Sequence, residues 1–168
     1  MNTPICEVCL KSDILCAACK EKLEKKKISE IDIEVSKFLY ELSSKVSSLN
    51  NLKLLKVYEA TNMLVILVGK GNIPIIIGKG GSVIKSISKK FSKNIKIIEE
   101  GSNNYYEIGA SLLSNPKIYG INIVFKNGEE IYKFRIPSLE KQKIEPYIDD
   151  FSKLFKQIFN KNAIVCFE

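Results

Sequence analysis

The chain has 168 residues, 45% of them hydrophobic, with 26 basic side chains against 19 acidic ones and a net charge of +7. That apolar content supports one domain or two small ones and excludes a disordered chain. There is no histidine, which removes Ser-His-Asp and Cys-His catalysis and every histidine-containing metal site.

Residues 1–28 carry Cys6, Cys9, Cys16 and Cys19 in the spacing C-x2-C-x6-C-x2-C. Two such pairs supply four thiolates to one tetrahedral ion, and Zn2+ is the expected ion. Four thiolates leave no open position, so the zinc would be structural. The second pair runs into Lys20-Glu21-Lys22-Leu23-Glu24-Lys25. This is a helix-forming sequence whose N-terminal dipole would favour the sulfurs. A redox role needs a thioredoxin-like context that the sequence lacks, and no enzyme activity is expected. The fifth cysteine, Cys166, reads as a small buried hydrophobe.

After a short lysine linker, a helix is predicted from Ser29, with Asp32 in a capping-box position. Ile31, Val35, Phe38, Leu39, Leu42, Val46 and Leu49 form one apolar stripe along it. Leu52 to Ala60 and Met63 to Val68 predict an antiparallel hairpin. Met63 to Val68 is also the longest clean apolar run, far short of the ~18 residues that suggest a membrane span. With no signal peptide in view, a cytoplasmic protein with no membrane partner and no small-molecule substrate is expected.

Ile73 to Ile77 predicts a short helix, ended by Gly78-Lys79-Gly80-Gly81. Ser82 reads as the N-cap of a second helix running to Phe91, followed by a strand from Asn94 to Ile98. Glycines, a lysine and a bare helix start form an anion site. The charge agrees. Residues 51–98 hold nine lysines and one acid, Glu59, a net of +8, whereas residues 1–50 are neutral. A segment so dominated by one sign favours a polyanion partner. Two nucleotide-loop motifs fail on spacing. Six residues rather than four separate Gly71 from Gly78, with Gly80 after Lys79, and Val83 stands where a dinucleotide fingerprint needs its third glycine.

The stretch Ile76-Ile77-Gly78-Lys79-Gly80-Gly81-Ser82-Val83-Ile84 resembles the I-G-x-x-G-x-x-I signature of the KH (K-homology) family. The order helix, strand, strand, helix, helix, strand over about residues 30–100 resembles its type II variant. The resemblance implies a clamp for the backbone of single-stranded RNA. Gly78, Lys79, Gly80 and Gly81 would admit the backbone, and the Ser82 and Val83 amides would meet a phosphate. Lys85, Lys89 and Lys90 would extend the positive field, while Ile76, Ile84 and Ile87 would floor a groove for the bases.

Beyond residues 101–116, read as a linker with a helical piece over Glu107 to Leu113, a second unit is predicted. It has strands over Ile118–Phe125 and Glu130–Ile136 around an Asn127-Gly128 turn, a helix over Ile144–Phe159 and a strand over Ala163–Phe167. An offset of 67 places Ile84 on Phe151, Ile87 on Leu154 and Val57 on Val124, and one extra residue places Ile97 on Val165. The unit therefore reads as a degenerate KH-like repeat with Glu145-Pro146-Tyr147-Ile148 in place of the glycines.

The expected fold class is α+β: a zinc element over 1–28, a type II KH domain over 29–100, a linker over 101–116 and a degenerate unit over 117–168. Tandem units of this kind resemble the RNA-binding half of NusA, and the preceding cysteines resemble archaeal NusA-like KH proteins. That resemblance implies a role in transcription elongation, termination or RNA processing. The alternative is an adaptor on RNA polymerase or the ribosome with incidental RNA contact.

Overall fold

Helix α3 (Glu30–Ser43) begins where the capping box predicts. The Ser29 hydroxyl accepts from the Asp32 amide, and the Asp32 carboxylate accepts from the Ser29 amide at 2.8 Å. Asp32 is fully buried and does more than cap. It accepts from the Val57 amide at 2.6 Å and from the Lys56 ammonium at 2.9 Å, tying the helix to the first strand. The predicted stripe continued to Leu49, but α3 stops at Ser43. The Ser43 and Ser44 hydroxyls donate to the Tyr40 and Glu41 carbonyls, a local alternative to helix continuation. Leu49 is buried instead from a 3-10 turn over Ser47–Asn51.

The computed structural model describes residues 1–168, and the chain divides into two compact units. The first comprises Met1–Glu59 and Met63–Ser102; the second, Ala60–Asn62 and Asn103–Glu168. No helix is long and apolar enough to cross a membrane.

In the first unit, β1 (Leu54–Glu59) pairs antiparallel with β2 (Met63–Val68), which pairs parallel with β3 (Asn94–Glu99). Helices α3, α4 (Ile73–Ile77) and α5 (Ser82–Phe91) share one core with this sheet. Ile31, Val35 and Leu39 meet Val57, Leu64, Ile66 and Val68 there, together with Ile76, Val83 and Ile87.

The N-terminal cysteines belong to the same unit. Short helices α1 (Glu7–Lys11) and α2 (Ala17–Glu24) enclose Ile5, Cys9, Leu10, Cys19 and Ile28. Ile33 and Tyr40 of α3 pack against that cluster. These two lie seven residues apart, outside the predicted stripe, so α3 is apolar on two faces. One face serves the sheet and the other the cysteine element.

The second unit repeats the order. Helix α6 (Tyr105–Leu112) is the helical piece expected over Glu107–Leu113, begun two residues earlier, and its Ile108 and Leu112 are buried. Gly109 explains how closely it sits: a Cβ there would lie 2.4 Å from the Phe134 ring. Strands β4 (Gly120–Lys126), β5 (Glu129–Ile136) and β6 (Asn162–Phe167) pair in the same antiparallel-then-parallel order. The single helix expected over Ile144–Phe159 is broken instead: α7 (Lys141–Ile144) and α8 (Ile148–Phe159) are separated by a 3-10 turn over Glu145–Tyr147, where Pro146 has no amide to continue a helix.

The structural offset is 68 already from β2, not only at the last strand: Met63 and Asn94 pair in the first unit as Ile131 and Asn162 do in the second. It superposes fully buried residues on one another, namely Ile66 on Phe134, Ile76 on Ile144, Val83 on Phe151 and Ile87 on Phe155. Adjacent apolar pairs, Val83-Ile84 and Leu154-Phe155, let the helix register slip by one in sequence. Strand pairing removes the ambiguity. Val57 therefore corresponds to Ile121, which faces Phe134, and not to Val124. The loop counterpart moves to Pro146-Tyr147-Ile148-Asp149. Asp150 follows, buried, and accepts from the Thr61 and Asn62 amides of the same unit at 3.2 and 2.8 Å.

Candidate nucleic-acid interface and metal centre

Helix α4 ends at Gly78, whose φ is +75° and whose amide donates to the Pro74 carbonyl. A Cβ at Gly78 would stand 2.5 Å from Val83 Cγ2 and 2.9 Å from the Val83 nitrogen, so the turn closes only on glycine. Gly80 and Gly81 also have positive φ, +61° and +75°, but nothing lies within 4 Å of a Cβ at Gly80. The two positions therefore separate folding from exposure. We expect Gly78→Ala to lower the unfolding free energy by several kcal/mol, strain and overpacking together, and Gly80→Ala by about 1 kcal/mol for the left-handed backbone alone. Urea unfolding of the two variants measures the difference.

Ser82 is not the N-cap. It is the first residue of α5, with φ −61° and ψ −41°, and the cap position is Gly81, with no side-chain bond. A glycine in the left-handed region already turns the chain, so no hydroxyl is needed there. The Ser82 amide donates to the Lys79 carbonyl and the Gly81 amide to the Gly78 carbonyl at 3.1 Å. The Lys79 and Gly80 amides have no acceptor within the loop. The loop thus presents two backbone donors, one lysine and the positive end of α5.

Lys79, Lys85, Lys89 and Lys90 are all exposed and in no ion pair. Lys85 reaches back to the Gly80 carbonyl at 3.3 Å. By contrast Lys53, Lys56 and Lys93 of the same basic segment are tied to Glu100, Asp32 and Glu59. Lys70 and Lys96 are likewise in no ion pair, so four of the six uncompensated lysines of residues 51–98 lie on the loop and α5.

The predicted apolar groove residues divide. Ile76 and Ile87 are fully buried in the core, as is the Val83 side chain, because α4 and α5 need those positions to cover the sheet. Ile84 is half-buried. The structure also leaves Ile77, 37% exposed and adjoining Gly78, a residue that its run of isoleucines hid in sequence.

The four cysteine sulfurs lie within 4.8 Å of one another, with Cys6 and Cys9 3.4 Å apart and Cys6 and Cys16 3.8 Å apart. Four sulfurs bonded at about 2.3 Å to a tetrahedral ion stand about 3.8 Å apart, so this cluster could hold a metal ion with little movement. Cys6 and Cys16 are the N-caps of α1 and α2. The Cys16 amide donates to Cys9 at 3.1 Å, the Cys6 amide to Cys19 and the Cys19 amide to Cys16, each at 3.5 Å. The Cys19 amide and the neighbouring sulfurs hold the Cys16 thiol down at about 6, and the Cys9 amide lowers Cys6. Cys9 also gains from the Cys16 amide, but burial and the other three sulfurs push it up to about 12. Burial, then the Cys16 sulfur, raises Cys19.

A family model described as KH domain matches residues 39–135, more than half of the chain. No curated protein matches it. Among solved structures, the crystal structure of APE1850 superposes with a TM-score of 0.54 at 22% identity, covering 76% of this chain and 96% of that one. At that identity the likeness concerns the fold. The sequence match, the strand order and the glycine loop agree, and a KH domain is a nucleic-acid-binding module directed at RNA. The chain belongs to the KH domain family.

Proposed function

We propose that the chain binds single-stranded RNA at the loop Gly78–Gly81 and acts as a NusA-like factor in transcription elongation, termination or RNA processing. The observation that carries the RNA reading is the loop itself: three glycines at positive φ, two amides without loop acceptors and unpaired lysines on the following helix. Lys79 and the Lys79 and Gly80 amides take phosphate oxygens, while the α5 dipole favours the negative charge. Gly80, with open space around it, lets the backbone approach. Ile77 and Ile84 offer the exposed apolar surface for a base, and Lys85, Lys89 and Lys90 supply the field that steers the strand in. The second unit has Pro146 and Asp149 in place of Gly78 and Gly81, so it adds no second cradle.

Zinc is the ion we assign to the cysteine cluster, on the chemistry of four thiolates. It would hold the element that packs on Ile33 and Tyr40 of α3. The second reading, an adaptor on RNA polymerase or the ribosome, rests on the four-cysteine element and the neutral charge of residues 1–50.

Fluorescence anisotropy with labelled oligonucleotides tests the RNA reading. Single-stranded RNA should bind at least about tenfold more tightly than the same sequence as a duplex, whose base edges are hidden. Its log K should fall with log[salt] at a slope of about −3, set by about four phosphate contacts at about −0.7 each. Equal affinity for duplex and single strand would sink the proposal.

A further inference from the structure

Strand β4 is an edge strand whose burial differs sharply from that of its counterpart. It pairs only with β5, and Asn122 to Lys126 are all exposed. Ile123 is 51% exposed and Phe125 74%, with Val124 also exposed. In the first unit the equivalent strand is guarded. Asn2 bridges to Lys53, with backbone bonds to Leu52 and Leu54 of 2.8 Å each, Val57 is buried beneath α3, and Lys56 and Glu59 place charges on the strand. Charge, cover and interruption are the usual protections of a sheet edge. β4 has none of them over residues 120–125. Its hairpin also has longer arms than β1–β2 and is closed by a two-residue Asn127-Gly128 turn.

We propose that β4 pairs antiparallel with β4 of a second copy of this chain, joining two three-stranded sheets into one of six strands. The pair flanking a two-residue hairpin turn is hydrogen-bonded, which makes Lys126, Val124, Asn122 and Gly120 face β5. The amides and carbonyls of Ile121, Ile123 and Phe125 then point to the free edge. A twofold axis through Ile123 matches these three with themselves: Ile123 meets Ile123, and Ile121 meets Phe125. The charges fit this register. Lys126, the only charged residue of the strand, falls opposite Gly120, so no like charges meet across the pair. Elsewhere the +7 chain repels its copy, so added salt should strengthen the association, whereas RNA-bridged association weakens with salt.

The test is sedimentation velocity on the full, nuclease-treated, metal-loaded chain from about 1 µM to about 500 µM, a range that reaches weak dissociation constants. A concentration-dependent dimer is expected, with more dimer at high salt. Ile123→Lys places two ammonium groups at the axis of a surface position and should raise the dimer dissociation constant at least about tenfold. In a Cys166→Ser background, Ile123→Cys should form an intermolecular disulfide on mild oxidation, because a hydrogen-bonded pair holds Cα atoms about 5.5 Å apart, within disulfide range. Asn122→Cys should cross-link much less, since its mate across the axis is Val124. A monomer at every concentration, a dimer indifferent to Ile123→Lys, or equal cross-linking at 122 and 123 would overturn the proposal.

Discussion

Replacing Lys79 and Gly80 together by aspartate is expected to raise the dissociation constant for single-stranded RNA at least about a hundredfold while the chain stays folded. Each like-charge encounter at an interface costs several kcal/mol, and every 1.4 kcal/mol is tenfold. The double change removes one ammonium and sets two carboxylates beside the phosphates. The structure explains why folding should survive. Lys79 and Gly80 are exposed, and a Cβ at Gly80 meets nothing within 4 Å. Aspartate also tolerates the left-handed backbone better than most residues. Circular dichroism and urea unfolding check the fold, and anisotropy checks binding. A folded double variant with unchanged RNA affinity would show that the glycine loop is not the clamp.

Removing the metal should open the N-terminal element and leave the sheet core standing. The cysteine cluster, Leu10 and Ile28 pack on Ile33 and Tyr40, whereas Val35 and Leu39 belong to the other core. Structural zinc sites contribute on the order of 10 kcal/mol of apparent binding free energy at pH 7, far beyond what so few apolar residues supply. Elemental analysis should find one zinc per chain. After chelation, amide exchange should accelerate over residues 1–28 and remain slow in β2 and β3. Protons give a second readout. In the metal-free chain Cys9, pushed up to about 12, and Cys19, raised by burial, are protonated at pH 7, whereas Cys16, held at about 6, is already a thiolate. Metal binding at pH 7 should therefore release at least about two protons, measurable by calorimetry in buffers of different ionisation enthalpy. Affinity should fall as pH drops, and fall further below about 6, where Cys16 also binds a proton. Absence of zinc, or exchange over 1–28 that ignores the chelator, would refute the assignment.

Several features are legible in the sequence because they are local. The Ser29–Asp32 capping box, the Asn127-Gly128 turn and the spacing of the four cysteines each depend on residues a few positions apart. The glycine loop is of the same kind, since Gly78 must be glycine for a reason contained in residues 78–83. Charge is additive along a chain, so the +8 of residues 51–98 could be counted directly. How that charge is used could not. Lys53, Lys56 and Lys93 look like Lys79 in sequence, and only folding brings their carboxylate partners to them.

The sequence by itself therefore determined the helix-strand-strand-helix-helix-strand order of residues 30–99, the glycine loop, the four-cysteine cluster and the basic segment. Tertiary structure decided which isoleucines are core and which are surface, because consecutive apolar residues in α4 carry no periodic signal of which one faces the sheet. It decided that α3 has a second apolar face for the cysteine element, and that the helical piece expected over Glu107–Leu113 packs against Phe134 as part of the second unit. It also set the true offset of the second unit. Strand pairing admits only one register, whereas an amphipathic helix with adjacent apolar residues admits two. Last, it left β4 uncovered while β1 is covered. Sheet-edge exposure depends on what the rest of the chain places alongside a strand, which the residues of the strand cannot reveal.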